Sequence, residues 1–155
     1  MSNQFSQPLQ GDDLIALAGM RVKSMPEEVL SLPLVAEPSY PVVDGSPIYL
    51  TADKKGCTTV QNATEGFFGV VVLNQVGKTG KTGKDDSYVK GDVVPVMVKG
   101  KIHVPVKTAI TDVTTAVGVD ANGTFDPSGT AINGMRWYSP SVGSKNLTVL
   151  EILGV

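Results

Sequence analysis

The sequence predicts an all-β fold: a small barrel or sandwich of short antiparallel strands with an extended proline-rich N-terminal arm. Three observations carry this. Valine dominates the aliphatic residues, 23 against 11 leucines and 6 isoleucines, and β-branched side chains suit the pleated, half-buried surface of a strand. The 17 glycines and 10 prolines punctuate the chain too often for long helices. Apolar residues recur in short, often alternating runs bounded by turn residues. With 155 residues, 41% hydrophobic and 18% charged, the chain is sized for one core and lies outside the disordered class.

Residues 1–47 hold six of the ten prolines. Pro26, Pro33, Pro38, Pro41 and Pro47 recur too closely for a helix to run through them, and each biases its predecessor toward extended geometry. This predicts an arm. Near residues 12–20 a helix of about two turns is expected, capped by Asp12 or Asp13 over Leu14, Ile15, Leu17 and Ala18 and limited by Gly19. Farther on, Leu30, Leu32, Leu34, Val35, Tyr40, Val42 and Val43 are too many apolar residues for a solvated linker. They predict docking, on the chain's own body or on a partner. Leu14, Ile15 and Leu17 join them as the candidate partner-contact set.

From Ile48 to the C-terminus the sequence reads as a body of short strands: IYLT, CTTVQ, FFGVVVL, VVPVMV, KIHVPV, TTAVGV, GMRWYS and LTVLEIL. In VVPVMV-KGK-IHVPV, Val94, Val96 and Val98 alternate up to Gly100, and Ile102, Val104 and Val106 alternate away from it. A three-residue loop Lys99-Gly100-Lys101 would pair Val98 with Ile102 and keep all six on the core face, so a hairpin is predicted. Pro95 and Pro105 would then oppose each other on the outer face and guard a sheet edge or bulge. The run GKTGKTGKDD, Gly77 to Asp86, predicts a mobile loop. TFDPSGTAING, Thr124 to Gly134, predicts a second turn region.

Charge is uneven along the chain. The net charge is −2, made of −4 over residues 1–47, +4 over residues 48–107 and −2 beyond. An overall nucleic-acid footprint is therefore not expected. The apolar runs fall far short of the ~20 residues that cross a bilayer, and MSNQFSQPLQGDD has neither the basic nor the apolar region of a signal peptide. A lone Cys57 predicts no internal disulfide and synthesis in a reducing cytoplasm.

The candidate chemical motifs fail one by one. GKT occurs twice, but five residues before Gly80 and Gly83, where a phosphate loop needs a glycine, stand Gln75 and Lys78, and no helix N-terminus is expected after the run. Asp120-x-Asn122-x-Thr124-x-Asp126 resembles the opening of a calcium loop, yet the required glycine and glutamate are Phe125 and Ala131. His103 stands alone on the polar side of a strand. Cys57 has no activating base. Asp12-Asp13, Glu27-Glu28 and Asp85-Asp86 lie in arm or loop, where holding two carboxylates around a substrate is difficult. No enzyme, metal or cofactor is expected. Trp137 and Tyr138 point to opposite faces of a strand, one toward the core and one toward an interface.

Two runs carry a resemblance: YVKGDVVPVMVKGKIHVPV, and then TTAVGVDANGTFDPSGTAINGMRWYSPSVGSKNLTVLEI. Tyr88, Gly91, Asp92, Val96, Gly100, Ile102 and Val104, then Val117, Gly118, Gly123 and Phe125, then Val149 and Ile152 fall where the small cement or head-decoration proteins of tailed bacteriophages place their pattern. Residues 65–153 resemble that family. The resemblance implies a structural virion protein, made in the host cytoplasm, that binds the major capsid protein on the outside of an assembled head, bridges capsomers, and forms a homotrimer. Nucleic acid and membrane are not among the implied partners. A carbohydrate- or receptor-binding β module is the alternative that the loops and a free aromatic would serve.

Overall fold

The computed structural model of the chain describes residues 16–22, 26–60, 68–74, 76–82, 85–141 and 146–153. Among these there is no helix, and the strands pair antiparallel, so the all-β expectation holds. In chain order they are β1 (Arg21–Val22), β2 (Glu28–Pro33), β3 (Pro47–Leu50), β4 (Cys57–Thr58), β5 (Phe68–Val71), β6 (Gly80–Thr82) and β7 (Asp85–Ser87). There follow β8 (Val93–Pro105), β9 (Gly118–Val119), β10 (Thr130–Ala131), β11 (Met135–Trp137) and β12 (Leu147–Ile152).

β8 is the hub. Its first half pairs with β2, Leu30 opposite Val96 and Leu32 opposite Val94, and with β5, Val71 opposite Val96. Its second half pairs with β12, Leu150 opposite Ile102, and with β1, Arg21 opposite Ile102. The predicted hairpin at Lys99-Gly100-Lys101 is therefore corrected to one uninterrupted strand of 13 residues. The pattern misleads for a simple reason: a three-residue loop and a continuous strand leave the same parity at Val94 through Val106. Distant strands, rather than the strand's own second half, occupy the pairing positions. Pro95 accordingly faces Ser31, and Pro105 faces Leu147.

The sheet runs β11-β12-β8-β5-β3-β4. Beyond β2, Leu34 meets Cys57 in a parallel bridge, and the Val35 N–H donates to the Cys57 carbonyl at 3.0 Å. That contact joins β2 to β4 and closes β2, β8, β5, β3 and β4 into a small ring. Inside it Leu32, Leu34, Val42, Ile48, Leu50, Cys57, Val71, Tyr88, Val94, Val96 and Val98 pack together. Alternate residues of the same strands, Tyr49, Val70 and Met97, point to a second core with Ile102, Val104, Val106, Phe125, Trp137 and Leu150. β3, β5 and the first half of β8 are thus a wall buried on both sides, and such strands read as nearly continuous apolar runs.

Gly100 sits where β8 changes allegiance. Before it the even-numbered residues fill the ring, and after it they fill the second core. Its φ of 131° lies in the region that side chains other than glycine rarely adopt.

The N-terminal segment departs most from expectation. The stretch Ala16–Met20 is a turn rather than helix, and Leu14 and Ile15 lie outside the described residues. Residues 28–47 are not an arm outside the body: Leu32, Leu34, Tyr40 and Val42 are buried, between 0% and 8% exposed. Prolines exclude helix, but they do not exclude a strand that places Pro33 at its end.

Gly19 locks the entry of the chain. Its N–H donates to the His103 carbonyl at 2.8 Å, and its carbonyl accepts the Leu73 N–H at 2.7 Å. At φ 78°, a Cβ there would sit 2.7 Å from Leu73 N and 2.9 Å from both Gly45 N and Val71 O. Backbone on all sides leaves no flexible neighbour to give way. Gly19→Ala is expected to cost about 2–3 kcal/mol, a fall in Tm of roughly 4–12 °C at this size. Scanning calorimetry checks it, and an unchanged Tm would mean that the turn opens freely.

Candidate functional site

The groups singled out for chemistry are committed to structure. The Cys57 thiol is fully buried and donates to the carbonyls of Leu32 and Pro33 at 3.7 and 3.5 Å. Burial pushes its pKa up to about 12. The thiolate is the reactive form, so Cys57 is expected to ignore an aromatic disulfide reagent at pH 8 and to react once guanidinium unfolds the chain. Rapid labelling of the native protein would contradict this burial. The sign of the linkage also follows. In the unfolded chain a thiol ionises near pH 8.5, whereas the folded one keeps its proton to about pH 12. The stability this contributes is full below about pH 8.5 and is lost as pH rises toward 12. Tyr40, raised by burial and by the neighbouring Tyr49, acts in the same direction. Denaturant midpoints at pH 8 and pH 10.5 check it, the lower midpoint being expected at the higher pH.

His103 lies half-buried on β8, and desolvation lowers its pKa, which favours the neutral ring. No group of histidine, cysteine and carboxylate side chains suited to a metal occurs among the described residues. Asp120 spends its carboxylate on a turn: Oδ1 accepts the N–H groups of Asn122 and Thr124 at 3.0 and 2.8 Å. Gly123 in that turn, at φ 75°, packs against the Tyr40 ring, which occupies the place of a Cβ.

The lysine-glycine run is also corrected. Gly80–Thr82 and Asp85–Ser87 pair as a small antiparallel hairpin, with residues 83 and 84 outside the described set. Lys78 tethers it: the ammonium lies 3.0 Å from the Asp44 carboxylate, hydrogen-bonds the Asn74 carbonyl, and sits 5.5 Å from the centroid of the Tyr88 ring. Asp92 receives the N–H and hydroxyl of Thr79 and the N–H of Val89 at 2.9–3.1 Å. Desolvation pulls the Asp92 carboxyl up, and these hydrogen bonds outweigh it and hold its pKa below the usual carboxylate value. Lysines in a glycine-rich run gave no sign that one would be buried.

Of the candidate contact residues, Leu17 and Val35 are exposed, Leu30 and Val43 are half-buried, and Leu32, Leu34, Tyr40 and Val42 are core. The six residues assigned to the barrel core, Val94, Val96, Val98, Ile102, Val104 and Val106, are all buried. Trp137 is buried edge-to-face with Phe125 at 6.4 Å, while Tyr138 is 51% exposed with the Lys101 ammonium 3.8 Å from its ring centroid. Leu153, Lys99 and Pro26 border the same cleft as Tyr138, and nothing in the sequence marks them as neighbours. Only the strand order brings them together.

The described residues form a two-core β body in which the Cys57 thiol and the Asp92 and Asp120 carboxylates serve packing and turns. The family model described as structural cement protein (E217 gp24/Pam3 gp6) matches residues 10–153. The chain belongs to that family of phage structural proteins, which is a virion component and not an enzyme class. In the solved structure of the capsid of Myoviridae phage XM1, one chain shares the fold, with a TM-score of 0.62 over 99% of this chain and 98% of that one, at 14% identity. No curated protein matches.

Proposed function

We propose that the protein binds the outer surface of an assembled phage head and bridges neighbouring capsomers. The observation that carries this is the cement-family match over residues 10–153. The two-core body suits the task. A wall buried on both faces resists deformation, and β8 ties β1, β2, β5 and β12 into one sheet. A protein that binds the assembled lattice better than free subunits raises shell stability by mass action. Self-association as a homotrimer would multiply weak contacts through high effective concentration. Among the described residues Tyr138 is the one exposed aromatic, which gives a sugar-stacking platform little to build on.

The test is heat or osmotic shock applied to heads lacking the protein, with and without purified protein added back. Added protein is expected to raise the disruption temperature in a saturable way. Equal disruption with and without it would overturn the reading.

A further inference from the structure

The ring of strands has an open seam. β2 and β4 touch at Leu34 and Cys57, but upstream of Leu34 the outer edge of β2 carries no strand among the described residues. A cleft of about 400 Å³ lies there, floored by Leu30, Leu50 and Val98 and rimmed by Glu28, Lys54, Lys99 and Leu153. Lys99 and Leu153 also line the adjoining cleft that holds Tyr138 and Lys101. The two clefts adjoin at Lys99 and Leu153, their shared border, and are taken together as one groove.

Its features suit an extended guest. Upstream of Leu32, whose carbonyl like that of Pro33 already accepts the Cys57 thiol, the unpaired β2 edge offers backbone donors and acceptors to an added strand, and the apolar floor offers room for an inserted side chain. Leu153 and Tyr138, each 51% exposed, stand along the path as anchors, and aromatic residues are enriched at such positions. Charge selects the guest. The groove carries Lys54, Lys99, Lys101 and Arg136 against Glu28 and Glu151. Arg136 already pairs with Glu151 at 3.0 Å, and Lys99 and Lys101 have no ion-pair partner among the described residues.

We infer that this groove docks an extended, acidic segment of the shell protein by strand addition along β2, its carboxylates meeting Lys99 and Lys101 and an apolar side chain entering over Leu30. The inference rests on the head-binding reading and names the surface that performs it.

The experiment measures binding of full-length protein to heads lacking it, for native protein, Lys99→Glu, Tyr138→Ala and Glu28→Lys. Glu28 and Tyr138 are exposed and Lys99 is half-buried, and calorimetry checks that each variant folds. Lys99→Glu and Tyr138→Ala are expected to bind at least tenfold more weakly. Glu28→Lys is expected to bind as well as native or better, with binding falling as salt rises because exposed charge pairs are screened. Native-like binding by both weakened variants would overturn the groove while leaving head binding intact. So would a change confined to self-association by light scattering, which would assign the groove to a second copy. Failure of native protein to bind would remove both readings.

Discussion

A chain that begins at residue 41 is expected to be unfolded. This is the largest effect that the structure implies, because residues 28–34 supply one wall of the ring. Without β2, Val94 and Val96 lose the strand opposite them, and Leu32, Leu34 and Tyr40 leave the protein altogether. Truncating one buried leucine to alanine costs about 2–5 kcal/mol. Two leucines alone account for about 4–10 kcal/mol, and with Tyr40 and a pairing strand lost as well the deficit is comparable to the roughly 5–15 kcal/mol that holds a domain together. Far-ultraviolet circular dichroism and a denaturant titration read the outcome. A cooperative transition in the truncated chain would show that the ring closes without β2. The single changes Leu32→Ala and Leu34→Ala provide the graded companion, each expected to keep the fold and lower the midpoint.

The second large effect is expected at Val96. Its side chain is 0% exposed, lies between Leu30 of β2 and Val71 of β5, and comes so close to Gly69 that a Cβ there would meet its methyl at 2.3 Å. Val96→Asp would place a carboxylate among Val94, Val98 and Leu32 in the ring core. An unpaired buried charge of that kind costs several kcal/mol even when it neutralises itself by taking up a proton. Unfolding or insolubility is the expected result. Val96→Ala, which leaves only a void, is expected to fold with a loss of about 2–3 kcal/mol. A soluble Val96→Asp protein with a native Tm would place that face in solvent and contradict the closed ring.

The parts legible in the sequence were those with local causes. Valine runs and turn residues located β3, β4, β5, β9, β11 and β12, and alternation identified the buried set from Val94 to Val104 on β8 and Val106 just past its end. That Trp137 and Tyr138 face opposite ways follows from their adjacency, whereas which of them is core does not. Long-range choices were not legible. Parity alone cannot tell a three-residue hairpin from an unbroken strand, so the sequence of β8 reads as two strands. Leu30, Leu32 and Leu34 already alternate with period two, and that signal marks β2. Prolines on either side of it suggested an arm instead, although a strand ending on Pro33 tolerates them. Lys78 could not be anticipated, because its partner Asp44 lies 34 residues earlier and meets it only in the folded chain. The groove over Leu30 is likewise made by strand order, which brings Lys54, Lys99 and Leu153 together from distant parts of the chain.

The central claim is that this cement-family protein sits outside the head and spans capsomers. Cryo-imaging of heads lacking the protein, before and after the purified chain is added, tests it most directly. The difference map is expected to show density of this fold on the outer surface, contacting at least two capsomers, with the groove along β2 turned toward the shell. Density inside the shell, or none, would contradict it.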